Sequence, residues 1–427
     1  MQIPLLHTFL IGCALVVGGS TCSSGADWPQ YRGATLDGRS SEEWPLKTWP
    51  AGGLRRVWQT AADTGFSSFT IAEGRAYTVV AAQIDGVKRE VCVALEARTG
   101  RELWRTPFGV ARYDGGGDSG AVGNKGGDGP RSTPVVSDGR VYLYGSAMNL
   151  VCLDAKSGRS LWAKAVLQEF GGRNIRWQSA ASPVVEGELV CVAGGGDGQA
   201  LLAFNKQTGA LVWKTQDDGA THATPVVANI LGVRQIIFLT QRGLVGLALK
   251  DGAVLWRHEH PFRTASGASP VVAGDIVYCS SGYGVGATAV RLSKQGEGFQ
   301  ATLLWRKPNQ LMNHWSTPVA RDGFIYGLFG HAAYGKAPLM CVELATGEQK
   351  WSQPGFGPGG VILVGDQIVA LADDGELVLA KASPDAYTEI GRFQAMAGKC
   401  WSTPAFSAGK IYLRSTTEGA CYDAAAK

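Results

Sequence analysis

The sequence contains no block of five or six like charges, and charged residues make up only 18% of its 427 positions. The formal net charge is +4, and it is spread thinly along the chain. Proteins that bind nucleic acid or an anionic membrane surface through charge carry clusters of Lys and Arg. The sequence therefore argues against both kinds of partner.

Long apolar stripes at helical spacing are also missing, which predicts very little helix. One apolar run, residues 3–17, is too short to span a membrane, so we expect no transmembrane segment. Ser24 and Ala26 stand at the minus-three and minus-one positions of a cleavage site, as in a secretory signal peptide. We expect removal of residues 1–26 and export to the periplasm or outside the cell; lipidation at Cys13 is the alternative.

Cysteine is scarce: nine residues occur, without an adjacent pair, a C-x-x-C motif or a C-x-x-C-H motif. These absences argue against a zinc site, attached haem and a disulfide framework. Cys92, Cys152, Cys341 and Cys421 share one position of a repeat, where Cys serves as a small buried apolar residue. Motifs for a nucleophile elbow, a phosphate-binding loop or a metalloprotease are absent too, so we assign no catalytic residue and no metal ligand.

The sequence does contain a repeat in which a Gly turn is followed, four residues later, by Trp. The stretch ALEARTGRELWR (94–105) returns in outline at 152–163, 203–214, 246–257 and 341–352. We expect a positive φ at the turn Gly and a strand around the Trp, whose ring fills the wedge between neighbouring sheets. Trp58 and Trp305 belong to the same set, and Phe393 takes the Trp position in the seventh unit.

Each unit begins with a strand of the Ser/Thr-Pro-Val type, and eight such strands can be traced. The Trp spacing suits units of roughly 40–50 residues, the length of four short strands with turns. Strand 54–60 has a Trp before the first unit, whereas the last unit, 402–424, lacks its Trp strand; pairing the two closes a ring without open edges. We therefore predict an all-β fold: one eight-bladed β-propeller of four-stranded antiparallel blades over 54–427, after an N-terminal extension (27–53). Seven blades is the alternative.

Polar side chains precede the Ser/Thr-Pro strands, and the loops that enter the innermost strands of a propeller crowd one mouth of its channel. The candidate binding residues are Arg131, Trp177, His222, Asn313, His314, Lys399 and Trp401. They predict a partly cationic funnel for a small anionic ligand, and the loop at 111–129 is long enough to cover it. In the alternative interpretation, these groups bond to one another and to neighbouring Ser and Thr residues, and water fills the channel.

The units resemble pyrroloquinoline-quinone-like (PQQ-like) propeller repeats, and ALEARTGRELW resembles the tryptophan-docking motif of that family. The resemblance covers residues 28–424 and implies the quinoprotein alcohol dehydrogenase-like propeller. Longer strings are similar to exported bacterial members of this group: DWPQYRGATLDGRSSE (27–42), NIRWQSAASP (174–183), SSGYGVGA (280–287) and MNHWSTPV (312–319).

Two groups of relatives imply different functions. The BamB-like outer-membrane assembly scaffold, a propeller without a cofactor, implies a non-enzymatic scaffold or binding module that docks an envelope protein. The quinone-dependent alcohol and glucose dehydrogenases imply instead an oxidoreductase with PQQ and calcium at the channel mouth. In that case the basic groups would pair with the quinone carboxylates, and Asp217 or Asp218 would act as metal ligand or base. Binding of a carbohydrate or another small ligand in the funnel is a third alternative. We expect the scaffold.

Overall fold

The computed structural model describes residues 26–113, 129–296, 298–330 and 337–425. The predicted signal peptide, apart from Ala26, and most of the loop at 111–129 lie outside the described residues. The described residues form 33 strands and one short helix, α1 (Val166–Glu169). No helix among them is long and apolar enough to cross a membrane.

The first two strands, β1 (Arg39–Ser40) and β2 (Arg55–Ala61), precede the first blade. Blade 1 contains β3 (Thr70–Ala72), β4 (Arg75–Ile84), β5 (Val87–Glu96) and β6 (Glu102–Val110). Blade 2 contains β7 (Val135–Ser137), β8 (Arg140–Tyr144), β9 (Asn149–Asp154) and β10 (Ser160–Ala165). Blade 3 contains β11 (Val184–Glu186), β12 (Leu189–Ala193), β13 (Leu201–Asn205) and β14 (Leu211–Thr215). Blade 4 contains β15 (Val226–Ile230), β16 (Val233–Thr240), β17 (Gly243–Ala248) and β18 (Val254–Glu259).

Blade 5 contains β19 (Val271–Ala273), β20 (Ile276–Ser281), β21 (Gly286–Gln295) and β22 (Gly298–Lys307). Blade 6 contains β23 (Val319–Arg321), β24 (Phe324–Leu328), β25 (Leu339–Glu343) and β26 (Gln349–Gln353). Blade 7 contains β27 (Gly360–Val364), β28 (Gln367–Leu371), β29 (Glu376–Lys381) and β30 (Glu389–Gln394). Blade 8 contains β31 (Ala405–Ser407), β32 (Lys410–Arg414) and β33 (Glu418–Asp423), and β2 is its fourth strand.

Seven antiparallel four-stranded sheets, and an eighth in which β1 adds a fifth strand in parallel to the four antiparallel strands of blade 7, confirm the predicted eight-bladed propeller. In blade 8, β2 pairs with β33 so that Trp58 lies opposite Cys421, and the two ends of the propeller sequence share one sheet. The middle strands are apolar runs buried on both faces, as in β9, whereas the outer strands are largely exposed, as in β14, where only Trp213 is buried. The main cores therefore lie between the blades.

Tryptophan side chains connect successive blades. The indole N–H of Trp58, in blade 8, donates to the carbonyl of Ala97 in blade 1 at 2.8 Å. Five other indoles reach the following blade in the same way: Trp104 to Ala155, Trp162 to Lys206, Trp213 to Leu249, Trp305 to Leu344 and Trp351 to Ser383. Trp256 instead donates to Gln235 of its own blade at 2.5 Å, and the β21–β22 hairpin of the following blade is longer and turns only near Gln295.

The Ser/Thr-Pro motifs form hydrogen bonds between the innermost strands of neighbouring blades. The Thr133 hydroxyl accepts from the main-chain N–H of Ser68 at 3.1 Å, and the Ser182 hydroxyl accepts from that of Thr133 at 2.8 Å. Three further bonds follow the same rule: Ser182 N–H to Thr224, Ser269 N–H to Thr317 and Thr403 N–H to Ser68. The repeated hydroxyl thus satisfies a buried donor of the preceding blade.

The N-terminal crossing segment, residues 28–43, passes over one end of the channel. Trp28 forms a bridge with Ile71 of blade 1, and β1 pairs in parallel with β27 of blade 7. The Glu42 carboxylate accepts from two main-chain N–H groups at the Ala408–Gly409 turn of blade 8. This end of the propeller is the one where the first and second strands of each blade are joined.

Arg32 fixes the middle of the crossing segment. Its guanidinium is 2% exposed and donates to the carbonyls of Thr317 and Pro318 in blade 6, both at 2.7 Å, and to Asp37 at 2.8 Å. Burial lowers the pKa of Arg32 below its ordinary value. Main-chain carbonyls thus solvate this buried cation where the segment crosses the channel.

Candidate functional site

Aromatic rings form a row across the mouth opposite the crossing segment. The aromatic row consists of Trp177, Tyr283, His314, Trp315, Trp401 and Phe66. Successive ring centroids are 6.2, 4.9, 4.6, 4.7 and 5.2 Å apart. Five of the rings come from loops that lead into innermost strands, and Tyr283 comes from the β20–β21 hairpin. The first five rings are half-buried, which leaves part of each accessible, whereas Phe66 is buried.

Cations lie over Trp177, at one end of the row, and over Trp401, the ring before Phe66. Arg176 lies over the Trp177 ring, with the guanidinium carbon 4.7 Å from the centroid, and the Lys399 ammonium lies 4.7 Å from the Trp401 centroid. Arg131 donates to the Trp177 carbonyl at 2.8 Å. Cation–π contacts of this kind stabilise charge beside an aromatic surface.

Trp177 and Gln178 both have positive φ, 65° and 64°, which non-glycine residues seldom adopt. Arg131 holds the Trp177 carbonyl, and the Gln178 N–H donates to the carbonyl of Ile175 at 3.0 Å. Backbone strain of this type persists only where surrounding contacts maintain it. The hydrogen bonds of Arg131 and Ile175 thus hold Trp177 at the end of the row.

His222 lies between the Trp177 end of the row and His314. Burial lowers the pKa of His222 to about 3, and the nearby charges of Arg131 and His314 contribute in the same direction. A hydrogen bond to the main chain of Arg176 opposes the shift, and the buried Nδ1 has no hydrogen-bond partner. His222 is therefore neutral at physiological pH.

Asn313 occupies a different environment from the other six candidates. Its side chain is fully buried, accepts from the Tyr278 hydroxyl at 2.7 Å and donates to the Leu328 carbonyl at 3.0 Å. The structure therefore brings Arg131, Trp177, His222, His314, Lys399 and Trp401 to one mouth, and it places the Asn313 side chain between blades 5 and 6. A ligand-binding role for these residues stays a prediction.

Three members of the aromatic row are not among the seven candidate binding residues. Trp315 directly follows His314 in a loop whose residues the sequence predicts to converge at this mouth, and Phe66 stands at the equivalent place before the first innermost strand. Tyr283 lies in the hairpin between the second and third strands of blade 5, and that hairpin is not one of the loops that precede Ser/Thr-Pro strands. The N-terminal crossing segment was missed as well; a lone Arg within the Gly-containing string DWPQYRG was its only signal.

Three carboxylates near this mouth, those of Asp218, Asp217 and Glu90, form ion pairs or hydrogen bonds with other protein groups. Asp218 is buried, with one oxygen 2.8 Å from Arg257 and the other 3.4 Å from Arg242. The Asp217 carboxylate accepts from the Gly198 N–H at 2.5 Å. Glu90 is buried and accepts from Tyr113 and from the Ser146 N–H; burial raises its pKa.

These residues do not fit calcium with PQQ. Calcium requires several oxygen ligands, with carboxylates prominent among them. In the described part of the chain, no group of three or more His, Cys, Asp or Glu side chains is placed to hold a metal ion. Asp218 is buried and already pairs with two arginines. The rings of the row are also tilted against one another, by up to 85°, and do not form a flat slot for a planar cofactor.

Comparison with known proteins establishes the family. The model of the family described as outer membrane protein assembly factor BamB, built on PQQ-like repeats, matches residues 87–353. The chain belongs to this family. The family match confirms the resemblance to PQQ-like propeller repeats.

Individual BamB proteins match at low identity. The chain is 26% identical over 271 residues to BamB of Moranella endobia, covering 60% of this chain and 65% of the relative. It is 26% identical over 277 residues to BamB of Salmonella typhimurium, covering 60% and 64%. The match thus spans slightly less than two thirds of these relatives.

Solved structures share the architecture. BamB from Moraxella catarrhalis superposes with a TM-score of 0.59 at 14% identity, covering 87% of this chain and 97% of that chain. Quinohemoprotein alcohol dehydrogenase from Comamonas testosteroni superposes with a TM-score of 0.64 at 13% identity, covering 94% and 81%. At these identities the similarity shows the fold alone, because one propeller fold supports both assembly factors and enzymes.

Proposed function

We propose that the protein is an exported, non-enzymatic scaffold or binding module of the cell envelope that docks a partner protein. The match of residues 87–353 to the BamB family carries the proposal, because the relatives in that family are named as assembly factors. The occupied carboxylates at the channel mouth support it, since neither Asp218 nor Glu90 is disposed as a general base or a metal ligand.

The outer strand of blade 3 offers a docking edge. Among the described strands, β14 is hydrogen-bonded on one side only, to β13, and its Leu211 and Val212 are 41% and 48% exposed. Exposed apolar residues continue on the outer strands of blades 4 and 5, at Val254 and Leu303. An open, apolar edge of this kind accepts an additional strand from a partner.

A photo-crosslinking amino acid at Val212 tests this docking mode in the cell envelope of the source organism. The matched control is Lys350, which precedes Trp351 on the outer strand of blade 6 as Val212 precedes Trp213. We expect a discrete protein adduct from position 212 and a much weaker one from position 350. Equal adducts, or none from 212, would contradict docking at β14.

A further inference from the structure

Docking of a partner protein at β14 does not involve the aromatic row, whose geometry is distinctive. Its half-buried rings follow one another at 4.6–6.2 Å, and their planes turn by 23° to 85° from one ring to the next. We infer that the aromatic row binds an acidic oligosaccharide, a chain of sugar rings that carry carboxylates. This inference goes beyond the proposed docking of a partner protein and is independent of it.

The shape of the row favours a chain of puckered rings. The C–H faces of sugar rings are apolar and pack against the accessible parts of aromatic side chains. Because the rings from Trp177 to Trp401 are tilted against each other, one rigid planar ligand can contact only one or two of them. A flexible oligosaccharide can turn at each glycosidic bond and follow the row.

The charge distribution favours an acidic sugar. Arg131 and Arg176 meet at the Trp177 end, beside the buried Nδ1 of the neutral His222. At the Trp401 end, Lys399 stands over the ring, while Asp373 and Asp374 lie near Cys400. Positive charge is therefore concentrated at the Trp177 end, where a carboxylate would be held by charge-assisted hydrogen bonds.

Calorimetric titration of the full chain with tetragalacturonate tests the inference. The fully methyl-esterified tetramer serves as the matched ligand, because it has the same rings without the carboxylate charge. We expect saturable binding of the acid, and binding of the ester weaker by about tenfold or more, since each lost charged pair costs at least about 1.4 kcal/mol. Higher salt should weaken binding of the acid but not of the ester.

Two variants distinguish the contribution of the cations to binding from the contribution of the aromatic rings. Arg176→Met removes an exposed cation and should weaken binding of the acid by about tenfold, with little effect on the ester. Trp401→Ala should weaken both ligands to a similar degree. Their controls are Arg98→Met, at an exposed turn of blade 1, and Trp44→Ala, in the half-buried N-terminal extension; we expect both to bind as the unmodified chain does.

Three results would overturn the inference. The first is the absence of saturable heat up to about 10 mM tetramer, a concentration at which even weak sites fill. The second is equal affinity for the acid and its ester. The third is equal affinity for the tetramer and for galacturonate monomer, which would show that the row of rings is not used. Arg176 is exposed, so its variant stays informative even if Trp401→Ala fails to fold.

Discussion

Gly100 of blade 1 lies against the indole ring of Trp58 of blade 8, across the junction where the ring of blades closes. A Cβ built on Gly100 would stand 2.7 Å from the ring, closer than any ordinary carbon contact, and the φ of Gly100 is 73°. The indole N–H donates to Ala97, three residues before this Gly. The Gly turn and the Trp of the repeat therefore form a single contact between neighbouring blades.

Replacement of Gly100 by Ala should destabilise the propeller by about 2–5 kcal/mol, from overpacking against Trp58 together with left-handed backbone strain. Gly74→Ala is the matched control, because Gly74 has the same φ of 73° and nothing lies within 4 Å of its Cβ. Backbone strain alone should cost about 1–2 kcal/mol there. Denaturant unfolding of both variants measures the difference, and equal losses would show that the contact with Trp58 contributes nothing.

Ser182 and Ser269 test the hydrogen bonds between innermost strands. Both precede a Pro and both are buried, but only the Ser182 hydroxyl accepts an inter-blade bond, from Thr133 at 2.8 Å. The Ser269 hydroxyl has no hydrogen-bond partner in the structure. Ser182→Ala should lower the free energy of unfolding by about 1–3 kcal/mol, because it leaves the buried N–H of Thr133 without an acceptor. Ser269→Ala should leave the free energy of unfolding nearly unchanged. The prediction fails if the two variants have the same unfolding midpoint.

The stability of the protein should fall at acidic pH partly because of His222. Its pKa is about 3 in the folded protein and near 6.5 when exposed, so the unfolded chain binds the proton first. Stability should therefore decrease as the pH falls from 6.5 towards 3, with no contribution from His222 above that window. Thermal melts of the unmodified chain and of His222→Gln across this range test the assignment, and the variant should show the shallower slope. His260, whose pKa burial lowers to about 4, acts in the same direction and remains in both proteins.

The propeller could be predicted from the sequence because the residues that form its turns and its contacts between blades recur along the chain. Gly100 and Trp58 belong to neighbouring units of that repeat, and the same Gly–Trp contact occurs at four other junctions between blades, at Gly158, Gly209, Gly252 and Gly347. The crossing segment has no repeat, and its fold depends on Arg32 reaching carbonyls about 285 positions away in blade 6. Because such contacts occur once and join distant positions, they produce no repeated pattern in the sequence. Asn313 shows the corresponding limit for the site: its place before a Ser/Thr-Pro strand is visible in the sequence, but the direction of its side chain depends on Tyr278 of another blade.

Titration of the full chain with PQQ and calcium should give no saturable binding. The candidate acids are already engaged, Asp218 by Arg257 and Arg242 and Asp217 by the Gly198 N–H, and a calcium ion would have to break these contacts to obtain its ligands. Calorimetry together with dye-coupled oxidation of alcohols and sugars is the direct measurement. One-to-one binding at micromolar concentration that is lost in Arg131→Ala or His314→Ala would contradict the prediction, because both residues stand at the mouth where the quinone would lie. In that case the mouth would be a cofactor site, and the acidic groups would have to rearrange on binding.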